Sequence, residues 1–297
     1  MNAPVAAPPD GLTLRSDVKR VRLRHRKLVA ATGWVLCAAS LVLLGGAMLW
    51  ILGMVLVRGV TALTPRVFME VTSGTGGGLL NAIEGTCVIA FGTIILAVPF
   101  GISAGIYVAE YRWTRWARII RFLSDVLVGV PSIVLGYFGY ITMVEWLGWH
   151  FSVAAASITL AVLCLPYICR TTEMALREVP PELREAGYAL GAGPARVTFS
   201  LSMRSALPGV VTGVLLALAI SVGETAPLLY TAGWSSYLWN GHLVRSPIGY
   251  LTYVIWAFIN EPFASANALA YAAAFLTTAF VLLISLASRL LLMRRKP

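Results

Sequence analysis

Glu224 is an acidic residue in an apolar setting, because it lies in a run, residues 207–233, that holds no other charge. Burying a carboxylate within a bilayer costs about 2.5–3.5 kcal/mol, so such a group faces a protein interior or a wet cavity. Ser221 and Thr225 add hydroxyls on adjacent helical faces, and Pro227 displaces the carbonyl four residues earlier. We interpret these four residues as the lining of a pathway at a kinked helix. A structural pair between helices, a gate between subunits and direct contact with a substrate all remain open.

Asp125 is a second acidic residue beside an apolar run, and we include it among the candidate pathway residues. Gly129 and Pro131 follow it and predict a second break in a helix. Simple helix packing around small residues is the alternative explanation of that break.

The segment 173–205 is charged and helix-prone, although the chain around it is apolar. It contains an amphipathic helix, closed by Gly191 and Gly193. The apolar positions are Leu183, Ala186, Leu190 and, at the margin, Tyr188; the polar positions are Glu182, Arg184 and Glu185. An exposed helix of this kind is typical of docking into a groove of a partner protein. A helix that lies on lipid headgroups is the alternative.

The bulk composition is that of a membrane protein. The 297 residues are 58% hydrophobic and only 12% charged, with a mean hydropathy of +0.80, whereas soluble domains carry about 25% charged residues. Six apolar runs are long enough to cross a bilayer as helices, which takes about 20 residues. They are 28–57, 79–109, 122–144, 151–169, 207–233 and 268–293. The predicted fold is therefore all-α with six transmembrane helices.

The net charge of +10 is distributed as in a membrane protein and gives no support for a nucleic-acid partner. All but three of the 23 Lys and Arg residues precede the first span, lie at or beyond the end of the last one, or fall in the second and fourth connections. The exceptions are Arg58, Arg66 and Arg245. By the positive-inside rule we expect both termini to be cytoplasmic. The basic stretch 15–27 is expected to touch anionic membrane lipid.

The chain is predicted to divide along these spans. The segments are a basic cytoplasmic tail (1–27), a first transmembrane helix (28–57), an outer loop (58–78), a core (79–293) that includes the 173–205 loop, and a cytoplasmic tail (294–297). The glycine-rich run at 73–78 is predicted to be a flexible outer loop, since it lacks the Gly-Lys-Ser/Thr ending of a phosphate-binding loop. The run 251–259 is apolar but too short to cross the membrane.

The cysteines and histidines are scattered along the chain, and they give no support for a metal site or a disulfide framework.

Three strings carry a family resemblance: Glu185-Ala-Gly-Tyr-Ala-Leu-Gly-Ala-Gly, Leu207-Pro-Gly-Val-Val-Thr-Gly and Val222-Gly-Glu-Thr-Ala-Pro-Leu-Leu. With them, roughly residues 78 to 293 resemble the permease subunits of bacterial ABC importers, and in particular the phosphate permeases of the PstA family. The first string resembles the cytoplasmic loop of ABC importers in general, and the Gly-Glu-Thr-Ala-Pro string is the more discriminating one.

The resemblance implies the type I importer permease fold, in which the loop helix docks on an ATPase and transmits its closure. Carried over, the coupling contacts are Glu185, Ala186, Leu190 and Gly191. The implied partners are a PstB-type ATPase dimer, a PstC-type sister permease and a PstS-type extracytoplasmic phosphate-binding protein. ATP and Mg²⁺ are expected on the ATPase, with no catalytic site, cofactor or metal in this chain.

The sequence departs from the family pattern at three places. Gly187 stands where the loop motif has Ala, Met203-Arg204 stands where a Leu-Pro pair is usual, and Ile220 stands where many relatives place an Arg one turn before the acid. The last change removes a cation from an anion pathway. Either the sister subunit supplies one, or Glu224 accepts a hydrogen bond from a protonated phosphate oxygen.

The expected function is therefore that of a phosphate permease in the bacterial inner membrane, which works by alternating access and is driven by a separate ATPase. Two alternatives remain: an importer of another oxyanion such as sulfate, molybdate or phosphonate, and a proton-coupled carrier or channel in which Glu224 relays protons.

Overall fold

A computed structural model describes the backbone of residues 11–293 and the side chains of residues 26, 27 and 29–290. The predicted C-terminal tail, 294–297, and the first ten residues of the predicted N-terminal tail lie outside this described part.

Helices make up most of the described chain. In chain order they are α1 (Gly11–Ala62), α2 (Pro65–Met69), α3 (Leu80–Glu110), α4 (Arg115–Gly129), α5 (Ser132–Gly139), α6 (Val153–Arg177), α7 (Pro181–Ala189), α8 (Pro194–Arg196), α9 (Met203–Gly223), α10 (Ala226–Thr231), α11 (Leu251–Phe258) and α12 (Ala264–Met293). Two π-helical segments continue neighbouring helices: Tyr140–Trp146 extends α5, and Val197–Ser202 joins α8 to α9. The strands β1 (Thr72–Ser73) and β2 (Gly76–Gly77) form a small antiparallel hairpin.

The contacts between residues fall into two groups, which divide the chain into two units. The first ends at Met54, and its described part is the stretch of α1 up to that residue. The second begins at Val55 and holds the other elements, with the end of α1 packed so closely on α12 that Gly59 adjoins Phe275.

Five helices of the described chain are long and apolar enough to cross a membrane: Val29–Ala62, Leu80–Glu110, Val153–Arg177, Pro194–Gly223 and Ala264–Leu290. A sixth crossing results when α4 and the helix Ser132–Trp146 count as one span, although the two are bent by 101°. The predicted six spans are reached with this bent pair included.

The structure changes the bounds of two predicted spans. The run 122–144 begins earlier, at Arg115, and it is interrupted after Gly129 as predicted: Val130 is extended, Pro131 has no N–H for a helical hydrogen bond, and a new helix begins at Ser132. The helix of the run 207–233 lies earlier in the chain than predicted. It begins at Pro194, where proline suits the first helical position, and ends at Gly223.

α3 and α6 form the most extensive helix pair, and small residues allow their close approach. A Cβ atom at Gly101 would lie 2.8 Å from Cβ of Ile168, and one at Gly105 would lie 2.6 Å from Cβ of Thr172. Glycine at these two positions therefore sets the separation of the two helices.

The segments predicted to lie outside the membrane are better organised than the sequence predicted. The 73–78 run contains the end of β1, the turn and β2, and Thr72 bonds through both its N–H and its hydroxyl to Asn81 Oδ1, at 3.0 Å each. Asn81 donates in turn to the carbonyl of Ser235 at 2.8 Å. The short apolar run folds as α11, which starts at a hydrogen bond of 2.9 Å from the Leu251 N–H to Thr86 Oγ1.

Candidate functional site

The two predicted helix breaks meet in the structure. α9 ends at Gly223, Glu224 has an extended backbone (φ −76°, ψ 134°), and α10 starts at Ala226. The predicted kink is thus a complete break, because Pro227 has no N–H for the carbonyl of Gly223. α5, which starts after the other break, packs on α10 so tightly that a Cβ at Gly136 would lie 2.6 Å from Cα of Pro227.

Glu224 lies among groups from three elements. Its side chain is half-buried and lies near the Ser132 hydroxyl at the start of α5. Its carbonyl accepts a hydrogen bond of 2.9 Å from Thr252 Oγ1 of α11. The carboxylate is therefore close to the N-terminal ends of α5 and α10, where helix dipoles favour negative charge.

The other predicted pathway residues divide into two groups. Ser221, Thr225 and Pro227 lie at the same break as Glu224; the buried Ser221 hydroxyl has no partner among the described residues. Asp125 is exposed on α4, before the first break, and it is not among the groups that act on Glu224. The structure thus does not bring Asp125 to this site.

Sequence reasoning missed Ser132 and Thr252. Ser132 directly follows Pro131, so a polar residue at the start of the helix after the second break could have been noted. No local pattern marks Thr252, which lies 28 residues from Glu224.

Chemically, this break offers a carboxylate and hydroxyl groups at a point where two spans are interrupted. A carboxylate accepts hydrogen bonds and donates none unless it is protonated. The site can therefore recognise a group that carries a proton.

The predicted amphipathic helix is α7, which we call the docking helix. It begins at Pro181 and ends with Gly191 in the left-handed region, at φ +78°. The N–H of Gly191 donates to the Tyr188 carbonyl at 2.9 Å, and that of Ala192 donates to the Gly187 carbonyl at 3.1 Å. This paired ending is the Schellman motif, and it confirms the tight helix exit predicted at Gly191.

The docking helix contacts the rest of the chain through Gly187 and Arg184. Gly187 is buried, and a Cβ there would lie 2.6 Å from Leu201 Cδ1, so an alanine at this position would require the Leu201 side chain to shift. Glu185, Ala186 and Leu190 are exposed, Leu190 by 88%. The apolar stripe thus faces outward and stays available to a partner.

Arg184 is one of the predicted polar positions of this helix, and the structure shows that it makes contacts within the chain. Its guanidinium donates to both carboxylate oxygens of Glu110, at 2.8 and 2.9 Å, and to the Leu176 carbonyl at 2.9 Å. It points inward because this pairing compensates its partial burial. The docking helix is thereby joined to the ends of α3 and α6.

A buried ionic cluster, which sequence reasoning missed, lies near the end of α6. Glu173 is 2% exposed and pairs with three arginines: Arg121 at 2.9 Å, Arg170 at 3.3 Å and Arg177 at 2.6 Å. We call these four residues the Glu173 cluster. The helical spacing of Arg170 and Arg177 from Glu173 could have indicated two pairs, but Arg121 lies 52 residues away, on α4.

Comparisons with known proteins agree with this geometry. A family model described as the binding-protein-dependent transport system inner membrane component matches residues 97–296. The phosphate transport system permease protein PstA 2 of Mycobacterium bovis is 43% identical over 280 residues, which cover 94% of this chain and 93% of that protein. PstA of Yersinia pestis is 40% identical over 253 residues, covering 84% and 85% of the two chains.

Among solved structures, the MetNI methionine ABC transporter in inward-facing conformations aligns with a TM-score of 0.62. The alignment covers 73% of this chain and 96% of that one at 21% identity, so the likeness concerns the fold alone. The chain is therefore a multi-pass inner-membrane protein that belongs to the binding-protein-dependent transport system inner membrane component family and, within it, to the PstA permeases.

Proposed function

We propose that this chain is the permease subunit of an ATP-driven importer of inorganic phosphate in the bacterial cytoplasmic membrane. The observation that carries the proposal is the 43% identity, over 94% of the chain, to a phosphate transport system permease. The broken spans at Glu224 support it, because an interrupted helix with a carboxylate suits a pathway lining.

We assign the motor and the remaining parts to separate polypeptides. A PstB-type ATPase dimer binds ATP and Mg²⁺ and takes up the docking helix through Glu185, Ala186, Leu190 and Gly191. A PstC-type permease completes the pathway, and a PstS-type protein delivers phosphate from outside. Both termini are cytoplasmic in this arrangement, in line with the positive-inside distribution of charge. The outward apolar stripe of the docking helix supports the ATPase contact.

Transport proceeds by alternating access, with Glu224 as the selective group of this subunit. Closure of the ATPase dimer moves the docking helix and changes the orientation of the interrupted spans. At neutral pH phosphate retains a proton and sulfate does not, so a carboxylate acceptor favours phosphate and repels sulfate. Since Ile220 supplies no positive charge, the sister permease provides the cation that the anion needs.

The direct test is uptake of labelled phosphate into liposomes that contain this chain with its PstB- and PstC-type partners, supplied with ATP and the binding protein. We expect ATP-dependent uptake that unlabelled phosphate inhibits and sulfate, molybdate or phosphonate does not. Uptake by this chain alone, without an ATPase and abolished by an uncoupler, would overturn the proposal in favour of a proton-coupled carrier.

Two variants test the assigned roles in the same assay. Glu224→Gln removes the charge and should lower uptake by about tenfold while the complex still assembles. Glu185→Lys should lower uptake and loosen the ATPase without affecting membrane insertion. Glu70→Gln and Glu70→Lys are matched controls, because Glu70 is exposed in the outer loop; unchanged uptake in the Glu224 or Glu185 variants refutes the role concerned.

A further inference from the structure

The Glu173 cluster joins two helices, and its four members do not contribute equally to that link. Arg170 and Arg177 belong to α6 itself, three and four residues from Glu173, and their side chains are about half exposed. They neutralise the carboxylate without connecting it to another element. Arg121 comes from α4, and its Nε and Nη2 atoms both donate to Glu173 Oε1, at 3.1 and 2.9 Å. Within the cluster, the link between α4 and α6 thus depends on Arg121.

The surroundings of this pair support a firm contact between the two helices. Ala117 of α4 is fully buried in one apolar cluster with Cys169 of α6. Ser124, one turn after Arg121, lies near the Cys169 thiol. Without Arg121, Glu173 would still be neutralised by Arg170 and Arg177, but the ionic contact that joins α4 to α6 in this cluster would be lost.

The pair lies between the docking helix and the intramembrane break. In one direction, α6 ends at Arg177, and only three residues separate it from the docking helix. Arg184 of the docking helix also donates a hydrogen bond to the Leu176 carbonyl of α6. In the other direction, α4 ends at Gly129, two residues before α5, whose Gly136 packs on Pro227. Contiguous packed elements of this kind can transmit a displacement from the docking helix to the break at Glu224.

We propose that Glu173 is a positioning residue that makes α4 follow the inner end of α6, so that movement of the docking helix reaches the break at Glu224 through Arg121. The proposal rests on the proposed function, since it concerns the coupling of ATP hydrolysis to uptake. It assigns to the Arg121–Glu173 pair a mechanical role that the docking helix and the pathway residues do not perform.

The test measures phosphate taken up per ATP hydrolysed by the complete reconstituted complex. Glu173→Gln and Arg121→Gln should each lower this ratio by about tenfold while ATP hydrolysis continues. The double variant should be no worse than either single variant, because both remove the same link. Arg170→Gln is the matched control: it takes one arginine from the same carboxylate but leaves the link to α4, and its ratio should be unchanged.

A covalent substitute for the link makes the test independent of folding defects in these variants. Ser124→Cys places a thiol opposite the native Cys169, and oxidation should cross-link α4 to α6. The cross-link should leave the ratio of the otherwise unaltered complex intact, since the two helices move together. It should also restore the ratio in Arg121→Gln, and reduction should abolish that rescue. The unaltered chain receives the same oxidant as a control for its other cysteines.

The outcomes separate the two proposals. If the unaltered complex takes up no phosphate, the proposed function fails. If the unaltered complex does take up phosphate, three results would contradict the inference. Arg121→Gln could retain the full ratio of phosphate to ATP, Arg170→Gln could lower that ratio as much as Arg121→Gln does, or the cross-link could stop uptake. Any one of these three results overturns the positioning role of Glu173 and leaves the proposed function standing.

Discussion

Arg184 of the docking helix donates to both carboxylate oxygens of Glu110, the last residue of α3, at 2.8 and 2.9 Å. The pair is partly buried, with the side chains 25% and 15% exposed. Glu110 stands at the C-terminal end of a helix, where the dipole disfavours negative charge, and Arg184 offsets this. The docking helix is therefore held by ionic contacts as well as by the chain that leads into it.

We expect Glu110→Gln to lower the free energy of unfolding by about 1–2 kcal/mol, because Arg184 loses its counter-charge in a partly buried position. Titration of the purified chain with SDS measures this. Glu70→Gln is the control: its partner Arg66 is 81% exposed, and surface pairs contribute about 0–1 kcal/mol. Equal effects of the two changes would contradict the structural role of the Arg184–Glu110 pair.

Gly191→Ala should destabilise the end of the docking helix, because alanine is strained at φ +78°. The cost of about 1 kcal/mol corresponds to roughly fivefold faster amide hydrogen exchange in residues 181–192. Gly193→Ala provides the comparison, since Gly193 has an ordinary φ of −70° and open space around its Cα. Exchange that is unchanged in Gly191→Ala, or accelerated equally in both variants, would argue against the left-handed exit.

Leu190→Glu should weaken ATPase binding by at least about tenfold without lowering the stability of the chain, because the side chain is exposed here and we expect it to become buried in the proposed complex. Co-purification of the ATPase and thermal unfolding of the isolated chain measure the two quantities. Leu243, exposed by 60% in the segment between α10 and α11, gives the matched change Leu243→Glu, which should retain the ATPase. A Leu190 variant that retains it as well would remove this residue from the docking surface.

Gly105→Ala should destabilise the α3–α6 pair by about 1–3 kcal/mol, because the added methyl group has no room beside Thr172. Gly129→Ala is the control, since no atom lies within 4 Å of a Cβ built there. The midpoint of thermal unfolding in detergent should fall for the first variant and hold or rise for the second. A Gly105 variant as stable as the parent would show that the two helices can separate without cost.

Much of this architecture follows from local sequence. The apolar runs predicted the crossing helices because a bilayer demands about 20 apolar residues for each. Glycine after an amphipathic stretch predicted the end of the docking helix, since glycine enters the left-handed region without strain. Glu224 and Pro227 indicated an interrupted span because each is costly in a continuous transmembrane helix.

The sequence by itself thus determined the helices, the outward apolar stripe of the docking helix and the family. Only the tertiary structure decided that Ser132 faces Glu224, that Arg121 reaches Glu173 across 52 residues, and that Arg184 points inward to Glu110. Hydropathy and helical period depend on neighbours along the chain, whereas these pairings depend on which helices lie side by side. The close approach of α3 and α6 at their glycines, and of α5 and α10 at Gly136, sets that arrangement.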